Sequence, residues 1–399
     1  MAKQSSIDFL SAVEKSLSLA TQTPHSEWVS IFQALGRTLA HDITCQKNLP
    51  SYNNAALDGF AFRFDSLSEK MRIKRTILAG EVVSECLGEH ECYKIMTGAK
   101  VPDDADTIIP FEECFVEGDM WMKPRAKVVK GNALRQKGEE AALGSLLLKK
   151  GTVLTSREMA VLASQGISMV LTYKQLNIAV FSTGNELKAP WERANEDEIY
   201  DINALSLISL LEEHGFKASY CGVIPDNLRT ATRYFAAMKH YDVLVTSGGV
   251  SMGEADFVER ALKANGFEAV FNGINIKPGK PTMMGIMDHT IIASMPGNPL
   301  AAYVNAFVFL IPLLKKLQGQ TNFYHTRLTA INKTSFTMKS GRVNFVLGYH
   351  NDGVFEVYGN NKYGSGMVRP LQNANALWIS DETDLHVNAG DTIRITSLL

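Results

Sequence analysis

The chain carries almost no excess charge of either sign. Its 40 basic and 42 acidic residues leave a formal net charge of -2 over 399 residues. Binding to duplex nucleic acid or to an anionic membrane usually depends on a marked basic excess. We therefore expect neither nucleic acid nor a membrane among the partners of this protein.

Cysteine is scarce, and its spacing contains no Cys-x-x-Cys pair that could hold zinc or exchange disulfides. We interpret the cysteines as reduced thiols: Cys45, Cys86, Cys92, Cys114 and Cys221. The first residues lack the apolar core of a secretory signal. The longest apolar stretch, residues 301–314, contains Asn305 and Pro312 and is short for a membrane span. We predict a cytoplasmic protein in which this stretch is a buried helix.

The length and composition are those of a multidomain globular protein. With 45% hydrophobic and 21% charged residues, the chain is not disordered as a whole. Its length favours two or three domains, with four small ones as an alternative. Apolar residues at helical spacing predict a first helix from Ile7 to Leu17, with Ser5 or Ser6 as its cap. A second helix is predicted from Trp28 to Leu39.

The next part of the chain changes from helical to strand-like spacing and back. Short apolar runs at 74–78, 107–110 and 121–123, separated by Gly, Pro and Asp, predict a small β-rich domain. Residues 146–171 return to helix, with a capping box at Thr155 and Glu158 and a terminator at Gly166. We predict a β-rich domain at 49–141, inserted into a discontinuous helical domain at 1–48 and 142–176.

The remainder divides into an α/β part and a β part. Strands predicted at 177–182, 218–224, 242–246 and 290–294 alternate with helices predicted at 204–214, 228–239, 256–265 and 299–318. This alternation predicts a doubly wound α/β domain at 177–322, with a parallel sheet covered on both faces. After residue 320 only strand patterns occur, so a small β-barrel or sandwich is expected at 323–399.

Several loops that follow the α/β strands have an unusual composition. Ligands of open parallel sheets bind outside the carboxyl ends of the strands. Ser247, Gly248 and Gly249 follow one strand and could bring backbone amides close to a phosphate. The alternative is that the glycine pair only forms a tight turn. Pro296, Gly297, Asn298 and Pro299 stand at a predicted helix start, where they direct amides toward a ligand or simply cap the helix.

Charged residues occupy the same strand-end loops. Glu186, Asp226 and Asp256 each follow a predicted strand, and converging carboxylates beside a phosphate cradle suit Mg²⁺. Lys277 and Lys280 lie on a loop stiffened by Pro and Gly, where two ammonium groups could face an oxyanion. The alternative for all five residues is an ordinary solvated surface.

Five segments in this order resemble the motifs of the MoeA and gephyrin E-domain molybdenum insertases: STGNEL, IYDIN, SGGVSMGEADF, KPGKP and PGNP. The resemblance continues through NNAALDGFA, IMTGAKVP, the GEE triplet at Gly138, GRVNF and GSGM, and so covers nearly the whole chain. The α/β domain alone would also suit molybdopterin adenylyltransferases and CinA-like proteins. The flanking domains favour the insertases.

The resemblance implies a homodimer with its active site between the α/β domain of one subunit and the inserted β domain of the other. It also implies a reaction in which adenylylated molybdopterin and molybdate give molybdenum-molybdopterin and AMP, with Mg²⁺ as the metal cofactor. A molybdopterin adenylyltransferase is a possible partner. The implied catalytic residues are Asp58, Glu186, Asp226 and Asp256, the last three also holding the metal. Lys277, Lys280, Arg342 and Ser365 would hold molybdate. The implied substrate and phosphate contacts are Thr97, Thr183, Gly184, Asp201, Asn203, Ser247, Gly248, Gly249, Pro296, Gly297, Asn298 and Pro299.

Some positions depart from the family pattern. Asn185 and Glu140 stand where Asp is usual, Ala55 where Ser is usual, and Arg369-Pro370 where two serines are usual. Asn185 removes one potential metal charge, and the Arg-Pro pair alters the expected oxyanion rim. These departures keep two alternatives open: a catalytically weakened scaffold that binds molybdopterin, and an adenylyltransferase that consumes ATP.

Overall fold

The computed structural model describes residues 6–21, 24–125, 127–249 and 257–398. Backbone contacts divide the chain into two units, each of which is discontinuous in sequence. The first unit comprises Met1–Glu27, Gly36–Ala40 and Thr172–Leu399, and the second comprises Trp28–Leu35 and His41–Leu171.

The second unit is built around a six-stranded mixed sheet. In spatial order its strands are Thr107–Pro110, Gly59–Phe62, Glu91–Ile95, Met71–Ile77, Trp121–Pro124 and Cys114–Glu117. Two short antiparallel pairs accompany it, Asn54–Ala55 with Leu134–Arg135 and Ile43–Thr44 with Leu146–Leu148. The strands predicted in this region are confirmed. The proposed limits of an inserted domain at 49–141 stay a prediction.

The return to helix is confirmed only at Ser156–Ser164. There the Thr155 and Glu158 side chains form the predicted capping box, and Gly166 follows with a φ of +70°. The rest of 146–171 contains the strand Leu146–Leu148 and the beginning of the strand Met169–Tyr173.

The helix predicted from Trp28 to Leu39 is wrong. The chain forms the strand Ser26–Ser30 and a single 3₁₀ turn, Ile31–Gln33. The Ile31 amide donates to the Ser168 carbonyl at 2.9 Å, and Phe32 is 95% exposed. Of the apolar residues at helical spacing, Trp28 and Leu35 are exposed and Leu39 is buried, so they form no common buried face. The backbone instead gains a hydrogen bond from a segment distant in sequence.

The first unit contains the α/β domain, whose sheet positions the loops of the candidate site. From one edge to the other its strands are Ala218–Ile224, Ile178–Thr183, Val243–Ser247, Thr290–Met295, Met283–Met287 and Phe267–Asn272. The first four strands are parallel, as predicted. The last two are antiparallel and were not predicted, so the sheet is mixed. The helices that accompany it are Ile202–Glu213, Leu228–Ala237, Phe257–Lys263 and Pro299–Leu317.

The helix Pro299–Leu317 is the predicted buried helix. It is long and apolar enough to span a membrane by length and composition, but 78% of the apolar window lies inside the protein. Its middle turn, Ala306–Leu310, is a π-helix. Phe307, Phe309 and Leu310 from this turn lie in the largest apolar core of the first unit.

Five strands near the C-terminus close into a barrel, which decides between the predicted barrel and sandwich. They are Arg327–Asn332, Val343–Asn351, Val354–Val357, Ala376–Ile379 and Thr392–Ser397, and Val343–Asn351 pairs with strands on both of its sides. The short strand Ile276–Lys277 pairs in parallel with Val343 and Asn344. The barrel is thereby joined to the loop that carries the candidate lysines.

The first helix runs over Phe9–Ser18, and its cap was assigned to the wrong residue. The Asp8 carboxylate accepts a hydrogen bond from the Ser11 amide at 2.9 Å. Because Asp8 occupies the N-cap, the helix begins after it, and Ser6 precedes the cap. Ser5, the other predicted cap, lies outside the described residues.

A buried histidine joins the α/β domain to the residues before the barrel and is expected to make stability depend on pH. The His325 ring stacks on Phe307 at 3.8 Å, and its Nε2–H donates to the Phe307 carbonyl at 2.7 Å. Burial lowers the pKa of His325 to about 4, and positive charge on Lys315 and His214 adds to the effect. The unfolded chain, with a pKa near 6.5, therefore binds more protons between pH 6.5 and 4.

Unfolding at pH 5.5 should consequently cost about 1 kcal/mol less than at pH 7.5 on account of this group. Urea unfolding of the wild type and of His325→Gln at both pH values measures the difference. Gln can still donate to the Phe307 carbonyl but does not titrate, so the variant should lose most of this dependence. An equal dependence in both proteins would assign it to other groups.

Candidate active site

Two adjacent strands of the α/β sheet end in glycine-containing loops that contact each other. Ser182 and Ser247 are opposite one another in the sheet, and Gly248 and Gly249 follow with φ values of +87° and +67°. A Cβ added to Gly248 would lie 2.7 Å from the Thr183 carbonyl oxygen, and one added to Gly249 would lie 2.8 Å from Thr183 Oγ1. Positive φ and this close approach together require glycine at both positions.

We call the surface formed by Thr183, Gly184, Gly248 and Gly249 the glycine cradle. Gly297 also reaches it, since a Cβ on Gly297 would lie 3.5 Å from Gly248 Cα. The Thr183 side-chain oxygen is buried and has no hydrogen-bond partner among the described residues. A buried hydroxyl in this position costs free energy unless a ligand or water pairs with it.

Asn203 fixes the floor of the cradle. Its Nδ2 donates to Ser247 Oγ at 2.8 Å and to the Gly297 carbonyl at 2.7 Å, while Ser247 Oγ donates to the Pro296 carbonyl at 3.1 Å. The Asn203 Oδ1 atom is buried without a hydrogen-bond partner in the described part of the chain. Four residues predicted to contact substrate are thus brought together by direct hydrogen bonds.

Asp201 has a structural role that the sequence did not indicate. It is 2% exposed and caps the helix Ile202–Glu213 by accepting from the Ala204 amide at 3.1 Å. It also accepts from Ser182 Oγ at 2.7 Å and from the Tyr220 hydroxyl at 3.3 Å. Three protein donors therefore surround its carboxylate, and its predicted contact with substrate remains untested.

Two of the three predicted metal ligands lie beside the cradle. The Glu186 carboxylate folds back on Gly184, where a Cβ would meet Glu186 Oε2 at 2.7 Å. Partial burial, and to a smaller extent the negative charge of Glu186, raises the pKa of Asp226. A cation between the two carboxylates would relieve this repulsion. Oxygen ligands of this kind suit Mg²⁺.

The third predicted ligand, Asp256, lies outside the described residues. Within the described ranges, no three His, Cys, Asp or Glu side chains form a group that could hold a metal. The predicted metal trio is therefore untested. Asn185, which replaces the usual Asp, accepts from the Asp226 amide with its Oδ1 at 3.1 Å. It orients the Asp226 backbone without adding a further negative charge.

The loop that carries Lys277 and Lys280, which we call the lysine loop, is held in place by a residue that the sequence did not indicate. Asn305 is fully buried, and its Nδ2 donates to the Gly279 carbonyl at 2.9 Å and to Thr282 Oγ1 at 2.6 Å. Gly279 has a φ of +98°, and a Cβ there would lie only 1.9 Å from Asn305 Nδ2. Asn305 immediately precedes the π turn, a distortion often found at functional sites. An isolated Asn in an apolar stretch was the only available signal.

Lys277 and Lys280 on this loop are both exposed. Lys277 pairs with Asn344. Arg342 directly precedes the strand Val343–Asn351 and lies two positions before Asn344. The structure thus places three of the predicted molybdate cations around one strand pairing.

Ser365, the fourth predicted molybdate residue, contacts the start of the helix Pro299–Leu317. Its Oγ accepts from Asn298 Nδ2 at 2.8 Å, and its carbonyl accepts from the Leu300 amide at 3.1 Å. Pro299 has no amide hydrogen, and the Leu300 amide donates to the Ser365 carbonyl. Neither residue therefore offers a backbone donor to a ligand at this helix start. Arg369 and Pro370 begin the short helix Arg369–Gln372, in which Pro370 is buried.

The predicted residues of the second unit contact each other. Asp58 Oδ1 accepts from the Thr97 amide at 2.6 Å and from the Thr97 hydroxyl at 2.7 Å. These two bonds hold the pKa of Asp58 below its usual range.

Ala55 is buried, and its amide donates to the Ala99 carbonyl. Glu140 forms an ion pair with Arg135 at 3.3 Å.

Three family descriptions match successive parts of the chain. They are the MoeA N-terminal region (domain I and II) over residues 7–166, a probable molybdopterin binding domain over 179–316, and the MoeA C-terminal region (domain IV) over 329–398. Together these matches span both units.

Named relatives and solved structures agree with these matches. The molybdopterin molybdenumtransferase of Haemophilus influenzae is 32% identical over 386 residues, which cover 95% of each chain. That of Bacillus subtilis is 29% identical over 383 residues, 93% of this chain and 89% of the relative. A crystal structure of a molybdopterin biosynthesis MoeA protein from Pyrococcus horikoshii has a TM-score of 0.85 at 25% identity, covering 98% of this chain and 100% of its own.

Proposed function

This chain belongs to the MoeA family, and on that premise we propose that it is an enzyme of molybdenum cofactor biosynthesis that transfers molybdenum from molybdate to molybdopterin. The relatives named molybdopterin molybdenumtransferase support this activity, because the similarity extends over nearly the full length of both chains. We further propose that the substrate is adenylylated molybdopterin and that AMP is released. We also propose a division into domains at 1–48 with 142–176, 49–141, 177–322 and 323–399, of which the last two begin near the starts of two matched family regions.

The glycine cradle is the observation that carries this proposal. It combines two glycines that exclude any side chain with a buried Thr183 hydroxyl that has no partner among the described residues. A hydroxyl donor beside closely approached backbone is suited to phosphate oxygens. We assign the pyrophosphate of the substrate to this surface.

The charged groups complete the proposed chemistry. Lys277, Lys280 and Arg342 offer positive charge, and Ser365 offers a hydroxyl, for molybdate, which is a dianion. Water adds to one phosphorus atom as the bridging P–O bond of the pyrophosphate breaks, so that AMP leaves and molybdopterin keeps its phosphate. Donors that hold the phosphate oxygens stabilise the charge that develops there. Molybdate held next to the two dithiolene thiols is positioned to form Mo–S bonds, with the displaced molybdate oxygen and the thiol protons leaving as water.

Mg²⁺ is the metal that we propose for Glu186, Asp226 and Asp256. When bound, it would supply positive charge that polarises the phosphate oxygens. Glu186 and Asp226 fit this role because both are carboxylates at the edge of the cradle, and the negative charge of Glu186 adds to the effect of burial in raising the pKa of Asp226. We also propose a homodimer in which Asp58 and Thr97 of one subunit complete the site of the other, and delivery of substrate by a molybdopterin adenylyltransferase.

The direct test is incubation of the purified protein with adenylylated molybdopterin, Mg²⁺ and molybdate, with AMP measured by chromatography. AMP release that requires molybdate is the expected result, and a reaction without molybdate is the control. Tight binding of the substrate without AMP release would favour a scaffold. Consumption of ATP with molybdopterin would favour an adenylyltransferase, and absence of binding would contradict the proposed function.

A further inference from the structure

An open pocket of about 410 Å³ lies at one edge of the α/β sheet, next to the glycine cradle. Gly184 and Asn185 line one part of it, and Trp191, Tyr220 and Pro225 line another. The Trp191 ring stands edge-on to Tyr220, with centroids 5.5 Å apart and an interplanar angle of 89°. Trp191 is nevertheless 75% exposed, so most of its aromatic surface faces solvent.

The aromatic pair is held in place by hydrogen bonds. The Tyr220 hydroxyl donates to Asp201, which in turn caps a helix and accepts from Ser182. The loop that carries Trp191 is closed by Glu192, whose carboxylate accepts from the Ala189 amide at 2.7 Å. An ordered, solvent-facing tryptophan beside a concave surface is typical of a site that binds a planar ring.

The position of this pocket in the sheet indicates which ring it takes. The pocket lies along the carboxyl-terminal half of the edge strand Ala218–Ile224, where Tyr220 and Val223 line it, and it extends to Gly184, just past the end of the second strand. The cradle lies at the ends of the second and third strands. Asn298, which contacts Ser365, follows the fourth strand, and the lysine loop leads into the fifth strand at Met283.

Neighbouring strands lie about 4.8 Å apart. The aromatic pocket, the cradle and the molybdate-binding groups therefore follow one another along a single edge of the sheet, over roughly 15–20 Å. Adenylylated molybdopterin has the same linear order: a purine nucleoside, a pyrophosphate and a pterin with its two sulfurs. The sulfurs must lie with molybdate at the far end, which leaves the purine for the aromatic pocket.

We propose that Trp191 and Tyr220 form a nucleobase subsite in which the purine of the adenylyl group stacks on the Trp191 ring. This inference rests on the proposed function, because it takes the substrate to be adenylylated. It adds a binding determinant in the segment between the STGNEL and IYDIN motifs, outside the residues expected to bind phosphate, metal or molybdate.

The test is equilibrium binding of AMP to the wild type and to Trp191→Ala, measured by isothermal titration calorimetry. Stacking of one base on an aromatic ring predicts an affinity for AMP about tenfold lower in the variant. Trp191→Phe should retain most of the affinity, whereas Trp191→Leu, which keeps apolar bulk but has no ring, should lose it. Glu196→Ala changes an exposed residue of the same loop and serves as the matched control.

Ribose 5-phosphate, which has the phosphate and sugar but no base, separates stacking from phosphate binding. Its affinity should be the same in the wild type and in Trp191→Ala. Equal AMP affinity in these two proteins would overturn the proposal, as would wild-type protein that binds AMP no better than ribose 5-phosphate. Loss of affinity for 6-hydroxymethylpterin instead of AMP would assign the pocket to the pterin and also overturn it.

The outcome is separable from the test of the proposed function. Base-dependent AMP binding that requires Trp191, in a protein that releases no AMP from adenylylated molybdopterin, would contradict the function but leave the subsite standing. Molybdate-dependent AMP release together with AMP binding that is insensitive to Trp191 would contradict the subsite alone.

Discussion

Replacement of Glu186 by alanine is expected to abolish molybdate-dependent AMP release while the protein stays folded. The Glu186 side chain is exposed, so its removal exposes little apolar surface and leaves no buried group unpaired. Its carboxylate lies against Gly184 at the edge of the glycine cradle, where it would hold Mg²⁺ against the pyrophosphate. Removing one such electrostatic contact lowers turnover by about 100-fold or more. The rate of AMP release under saturating substrate measures the effect.

Two further measurements distinguish a lost metal ligand from general damage. Glu196→Ala removes an exposed acid from the next loop along the chain, between the strands Leu187–Lys188 and Ile199–Tyr200, and should retain wild-type turnover. Because the charge of Glu186 contributes to the raised pKa of Asp226, that pKa should fall in Glu186→Ala, which an NMR titration of the Asp226 carboxyl can follow. A Glu186→Ala protein with full turnover would remove Glu186 from the mechanism.

Much of the α/β domain could be predicted because its local and tertiary preferences agree. The strand Ala218–Ile224 has the predicted limits, and Thr290–Met295 is one residue longer than predicted. Both are apolar runs that end at turn residues, although Ala218–Ile224 is an edge strand and Thr290–Met295 lies inside the sheet. The antiparallel strands Phe267–Asn272 and Met283–Met287 were missed because each is a short apolar run with no helix between them, so the βαβ pattern gave no information about their pairing.

The error at Trp28 to Leu39 has a different origin. Apolar residues at helical spacing predict a helix only if their common face meets a core. Trp28 is 61% exposed and Leu35 is 66% exposed, so this face contributes little burial. Pairing with residues near Ser168 decides the backbone conformation instead, and such a pairing is not visible in a local pattern.

The candidate site shows the same division between local and distant information. Gly248, Gly249 and the two lysines could be found because glycine and proline leave local marks in the sequence. Asn305 could not, since its role depends on Gly279, 26 residues away. The link from Ser182 through Asp201 to Tyr220 joins two strands and a helix N-cap, and only the folded sheet makes these residues neighbours.

Gly248→Ala is expected to reduce AMP release by at least about 100-fold, because the glycine cradle has no room for a side chain. The added Cβ would lie 2.7 Å from the Thr183 carbonyl oxygen and 3.0 Å from Thr183 Oγ1. Relief of this contact requires the backbone of one loop to move, which displaces the donors that we assign to the pyrophosphate. The positive φ of +87° also costs about 1–2 kcal/mol for a residue with a Cβ.

Gly215→Ala separates displacement of the cradle from backbone strain. Gly215 has a nearly equal φ of +83°, but a Cβ there has no atom within 4 Å among those described. Both variants should lose the part of the free energy of unfolding that positive φ costs, as measured by urea titration. Gly248→Ala should lose more because of its added contact with Thr183, and it alone should lose AMP release. If the two variants lost activity in parallel, reduced stability would account for both, and the cradle would have no specific role in holding the pyrophosphate.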